Sequence, residues 1–367
     1  MKTVAKRRMS MLLALMMLVT VLAGCGNNQA SATPETTAAA TTSAPEATPA
    51  PEATPVPNAP QLKMVMITDT GGLGDKGFND LIWKGMQKAK DELGFEINAI
   101  ESTEAAQYGP NIAAAAEQGY NVVVCVGYLF VDVLAEVAPK YPDTKFVMID
   151  GEVKGDNVYS FQFGVEQSGY LAGALAGLVQ KEGKFGYVGG MEIPVVLAWE
   201  SGYVSGIKTT APNANVMTAY VGSFADPGKA KELALTQFNN GAGVCMEVTS
   251  GGATGVIEAA RDSNKKFIAT DSSKDSQAPG FELTAALCKR DQAVFAVAKM
   301  IKEGTAKSGT TYLTLKDGIF GLPDTMEKMY GADVMAKIQK LQDMILSGEI
   351  TVPKTREEVK AFKYPKF

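Results

Sequence analysis

Short apolar runs recur along residues 63–316, most of them separated by stretches with helical spacing. Those at 63–69 (KMVMITD), 121–127 (NVVVCVG), 145–150 (KFVMID), 184–189 (KFGYVG) and 266–271 (KFIATD) are continuous rather than alternating. A strand that is apolar on both faces belongs to a parallel sheet covered by helices on each side. Further strands are expected at 95–101, 158–163, 215–222, 244–249, 283–288 and 311–316. Expected helices include 78–93, 105–118, 131–139, 166–181, 198–210, 226–239, 253–263, 290–303 and a long one at 325–347. So many strands overfill one open sheet, so two doubly wound parallel-sheet lobes are expected. Such sheets bind ligands beyond the carboxyl ends of their strands. There the sequence puts Asp69, Gly127, Asp150, Gly189-Gly190, Ser250-Gly251-Gly252 and Asp271.

The N-terminus precedes this pattern with three signals in order. Lys2, Lys6, Arg7 and Arg8 are basic, Met9–Val21 is apolar but short for a membrane span, and Leu22-Ala23-Gly24-Cys25 ends it. Charge, apolar run and small residues make a secretory signal over residues 1–24. Leu-Ala-Gly-Cys resembles the lipobox of bacterial lipoproteins, which implies acylation of Cys25 and an extracytoplasmic, membrane-anchored location. Residues 26–60 are mostly Ala, Thr, Pro, Ser and Glu. With Val56 as its only large aliphatic residue, this stretch cannot offset the cost of ordering its backbone. It reads as a tether, with a reach near roughly 100 Å when proline keeps it extended.

The chemistry available to the remainder is narrow. The chain contains no histidine, which removes Ser-His-Asp and Cys-His catalysis and His-ligated metals. Its net charge is −5, and no basic block follows the leader, which argues against a nucleic-acid partner. Cys125, Cys245 and Cys288 lack CxxC spacing and read as buried thiols. No cofactor is expected.

Asp69-Thr70-Gly71-Gly72-Leu73-Gly74-Asp75-Lys76-Gly77-Phe78-Asn79 joins the first strand to the first helix. Gly72, Gly74 and Gly77 fit G-x-G-x-x-G, and Glu101 ends the second strand. A dinucleotide-binding oxidoreductase is therefore one reading. Against it stand export, the absence of a histidine for the hydride step, and Asp69, which would face the pyrophosphate.

The same segment, with YPDTKFVMID, GYLAGALAGL, KFGYVGGMEIPVV and YVGSFADP, resembles in order the basic membrane protein family of substrate-binding lipoproteins. The resemblance implies a type I periplasmic binding protein fold, two lobes joined by three crossovers, and no enzymatic activity. It implies lobes of 61–165 with about 290–316, and 166–289 with about 317–367, hinging near 163–166, 282–290 and 315–320. The expected partners are a small ligand, a purine nucleoside or another flat molecule such as a flavin, and the membrane subunits of an ABC importer. The protein is expected to be monomeric. By the same resemblance Phe78 and Trp199 sandwich the base, Asp271 and Lys289 meet the ribose, and Asp69, Asn79 and Asp132 hold base edge or sugar. Gly251 and Gly252 allow close backbone approach.

Overall fold

The computed structural model describes residues 61–181 and 183–366. Cys25 and the proline-rich segment lie outside them. Twelve strands form two six-stranded sheets among the described residues. The first sheet has β1 (Lys63–Ile67), β2 (Glu96–Ile100), β3 (Val122–Val126), β4 (Lys145–Ile149), β5 (Val158–Phe163) and β11 (Gly309–Leu313), in the order β11-β5-β4-β3-β1-β2. The second has β6 (Lys184–Gly189), β7 (Asn215–Tyr220), β8 (Ala242–Val248), β9 (Lys266–Asp271), β10 (Glu282–Cys288) and β12 (Phe320–Gly321), in the order β12-β10-β9-β8-β6-β7. Every pairing is parallel except that of β10 with β12. Both sheets reverse winding direction beside their first strand, between β1 and β3 and between β6 and β8, and such switch points open a crevice for ligand.

The chain passes between the sheets three times: from β5 into α4 (Val165–Gln180), from β10 into a helix at Arg290–Lys302, and from β11 to β12. The third passage ends in a two-residue strand that periodicity could not reveal. Continuous apolar runs became strands buried on both faces, β3 completely so. The three thiols are free and buried.

Helix boundaries moved where proline or glycine decides them. α5 (Pro194–Thr210) starts four residues earlier than the apolar spacing indicates, with Pro194 at its first turn, where a missing N–H costs nothing. The expected helix at 325–347 breaks at Gly331, whose φ is 84°.

α4 and α5 pack backbone to backbone, which explains the glycines of GYLAGALAGL. A Cβ on Gly173 would lie 2.3 Å from the Tyr203 carbonyl oxygen, one on Gly202 2.1 Å from that of Glu166, and one on Gly206 2.0 Å from that of Tyr170. None of these obstacles is a flexible side-chain end. Gly206→Ala should therefore destabilise the folded domain by about 3 kcal/mol, the upper part of the overpacking range, as read by urea denaturation. A loss under about 0.5 kcal/mol, ordinary for a surface site, would mean that the helices can separate freely.

Candidate functional site

The carboxyl ends of both sheets face one another around a small cavity of about 50 Å³. Asp69 follows β1, Tyr128 follows β3 and Asp150 follows β4. From the other sheet come Trp199 in α5, Phe224 after β7, Ser250 after β8 and Asp271 at the end of β9. Arg290 enters at the second crossover. Asp150, Ser250 and Asp271 have φ of 63°, 50° and 67°. Left-handed backbone at non-glycine residues is costly and gathers where function needs an unusual side-chain direction.

Arg290 is the centre of the arrangement. Its Nη1 donates to Asp150 Oδ1 at 2.6 Å and its Nε to Asp271 Oδ1 at 3.0 Å. One guanidinium thus joins a carboxylate at a strand end of each sheet. It also lies over the rings of Phe78 and Phe163, 4.8 and 4.5 Å from their centroids. Burial opposes its charge, but the two carboxylates more than offset that and hold it above its usual range.

Asp69 is 4 % exposed. Its Oδ1 accepts from Gly71 N and Asn79 Nδ2, each at 2.9 Å. Burial pushes the carboxyl up to about 6 despite those bonds, with Asp75 and Asp150 adding repulsion.

The expected residues divide into three groups. Asp69, Phe78, Trp199 and Asp271 line the cavity. One face of Phe78 is occupied by Arg290. Trp199 sits in the second turn of α5 and packs against Gly169 of α4. Asn79 is fully buried behind the cavity wall, where its Nδ2 ties Asp69 to Asp75. Gly251 and Gly252 also lie off the cavity. A Cβ on Gly251 would come within 2.9 Å of the Gly71 carbonyl oxygen, so this glycine permits the lobes to approach.

Asp132 and Lys289 are elsewhere. Asp132 is exposed on α3 (Val131–Val137). Lys289 is exposed and turns its Nζ to the Gly318 carbonyl oxygen at 3.3 Å. The inward cation is its neighbour Arg290, because the first turn of the helix faces that residue into the core. Phe224, Tyr128 and Arg290 were not expected. Arg290 carried a weak signal, being a second basic residue directly after a strand-end cysteine.

The glycine loop does not await a phosphate. Its N–H groups are taken by the chain's own carboxylates: Gly71 by Asp69, Leu73 by Glu101, Gly74 and Lys76 by Asp80, and Gly77 by Asp75. The loop instead meets the opposite lobe. Ser250 Oγ donates to Asp75 Oδ2 at 2.8 Å and Ser272 Oγ to the Lys76 carbonyl oxygen at 2.7 Å. The cleft is therefore closed.

Comparison with known proteins agrees with this construction. The family model described as "ABC transporter substrate-binding protein PnrA-like" matches residues 62–356. The chain is 31% identical to the "CD4+ T-cell-stimulating antigen" of Listeria monocytogenes, over 79% of this chain and 87% of that protein. It is 29% identical to the "ABC transporter nucleoside-binding protein BmpA" of Lactococcus lactis, over 91% and 95%. A solute-binding protein of an ABC transporter system from Aeropyrum pernix K1 superposes with a TM-score of 0.76 at 25% identity, covering 82% of this chain and 96% of that one. The fold is thus that of type I periplasmic binding proteins, with binding rather than catalysis as its task, and the chain belongs to the Bmp family of PnrA-like ABC transporter substrate-binding proteins.

Proposed function

We propose that this protein captures a purine nucleoside in the closed interlobe cavity and presents it to an ABC importer, held at the extracytoplasmic face of the membrane by a lipid on Cys25. The observation that carries the reading is the cavity lining. Phe78, Tyr128, Trp199 and Phe224 supply aromatic surface, and Asp69 and Asp271 supply carboxylate acceptors, around one space. A flat base needs ring faces, and a ribose needs acceptors for vicinal hydroxyls. Oδ1 of Asp271 is taken by Arg290, leaving Oδ2 for the sugar. Support also comes from the printed name of the Lactococcus relative.

Native mass spectrometry of the purified chain, with identification of any released compound, tests the ligand class. A nucleoside returned intact supports the reading, whereas a flavin would redirect it. Intact mass of membrane-extracted protein tests the anchor, and a mature chain that does not begin at lipidated Cys25 would reject it. Phe78→Ala and Trp199→Ala should each weaken nucleoside binding at least tenfold, since stacking is worth ~1–3 kcal/mol and ~1.4 kcal/mol is one factor of ten. Asp271→Asn should weaken a ribonucleoside far more than its free base. Equal losses in calorimetry would make Asp271 only a partner of Arg290.

A further inference from the structure

A second space adjoins the inner cavity. It is a chamber of about 540 Å³, sharing Tyr128, Asp150 and Val195 as a common wall. Its other walls come from β5, α4 and β11 at the crossovers, and from the C-terminal residues Lys354 and Thr355. We propose that this chamber is a second ligand subsite, taking an uncharged or cationic hydrogen-bonding substituent carried by the flat-ring ligand. The proposal rests on the ring-binding reading above.

Three observations support it. The two spaces share three lining residues and so lie side by side, which puts the chamber within reach of a substituent on a ligand in the inner cavity. The chamber is built rather than incidental. Glu166 has a side chain only 3% exposed, and its Oε1 accepts from the Tyr312 hydroxyl at 3.2 Å and lies 3.8 Å from Lys354 Nζ. That ammonium in turn stands 4.2 Å above the Tyr312 ring. The outer wall is also fixed in place. Arg356, next to Thr355, grips Glu200 through Nε to Oε1 at 3.0 Å and Nη2 to Oε2 at 2.9 Å, a bidentate geometry that holds direction as well as charge.

The lining decides the chemistry. Asp150, Glu152 and Glu166 supply three carboxylates, while Lys354 is the one cation among the lining residues. Arg290, behind the shared wall, is already engaged by Asp150 and Asp271. Lys354 is shared with Glu166, so an added anion would meet three carboxylates with only one, already partnered, cation to answer it. Amines and hydroxyls would find acceptors in Glu152 and in the Gln162 amide, which bond one another at 3.3 Å.

The test is calorimetry on the purified full chain. The probes are adenosine and adenosine carrying a short alkyl chain at N6 or at the 5′ carbon, ended by an amine, a hydroxyl or a carboxylate. At one attachment point the amine and hydroxyl forms should bind within about threefold of adenosine and the carboxylate at least about tenfold more weakly, about 1.4 kcal/mol. Glu152→Lys, on the exposed rim, should narrow the gap between amine and carboxylate at least about threefold and leave adenosine unchanged. The subsite is overturned if every extended analogue binds over about a hundredfold more weakly than adenosine, or if amine and carboxylate bind alike. Failure of adenosine, guanosine and inosine alike to bind would instead overturn the ring-binding reading, and this proposal with it.

Discussion

Arg290→Met should destabilise the protein by about 3–5 kcal/mol, the cost of removing one partner from a buried ion cluster. Arg290 is 1% exposed, and the Asp150 and Asp271 side chains it holds are 5% and 10% exposed. Without the guanidinium, two carboxylates face one buried space with no counterion. Folded domains are stable by only about 5–15 kcal/mol, so the loss is a large share of the total. The triple change Arg290→Met, Asp150→Asn and Asp271→Asn removes every charge and should recover most of that stability. Arg290→Lys should fall between, because one ammonium cannot fork to both carboxylates. Urea denaturation of the four proteins measures this. A single Arg290→Met variant within about 1 kcal/mol of wild type would show that water reaches the two carboxylates, since exposed pairs are worth no more than that.

Asp69→Asn should raise stability and abolish binding together. The Asp69 carboxyl lies above its ordinary value of 3.8, at about 6, because burial penalises its charge. Between these values the folded state holds the proton more tightly than the unfolded one. Stability therefore falls as pH rises from about 4 to 6, and at neutral pH the ionised group costs about 3 kcal/mol. Asparagine keeps an oxygen for Gly71 N and Asn79 Nδ2 and has no charge to bury. The variant should thus gain up to about 3 kcal/mol at pH 7 and almost nothing at pH 4. In the cavity, however, an NH2 would replace the acceptor Oδ2 and oppose the N–H donors of a base. A loss of at least about a hundredfold in affinity is expected. Wild-type binding should also weaken about tenfold per pH unit below about 6, because protons compete for the same carboxylate. Affinity constant from pH 5 to 7 would remove Asp69 from contact with the ligand.

Much of the architecture was legible in the sequence because its causes are local. Continuous apolar runs require strands buried on both faces, and their alternation with amphipathic segments requires parallel sheets. The residues after those strands had to approach the binding crevice, so Asp69, Asp150 and Asp271 could be named from position alone. Glycine also spoke at short range: the repeats in α4 and α5 exist because backbone meets backbone there. Only the tertiary structure decided which of two adjacent basic residues turns inward. Lys289 caps the helix that Arg290 begins, and the turn of the chain into that helix puts one in solvent and the other between two carboxylates. Asp132 lies away from the cavity for a similar reason, since its helix turns it outward. The pairing of β10 with β12, the aromatic ring of Phe224 and the Lys354–Glu166–Tyr312 cluster join residues distant in sequence. No local pattern encodes such meetings: they follow from how two sheets, three crossovers and a C-terminal segment fill space together.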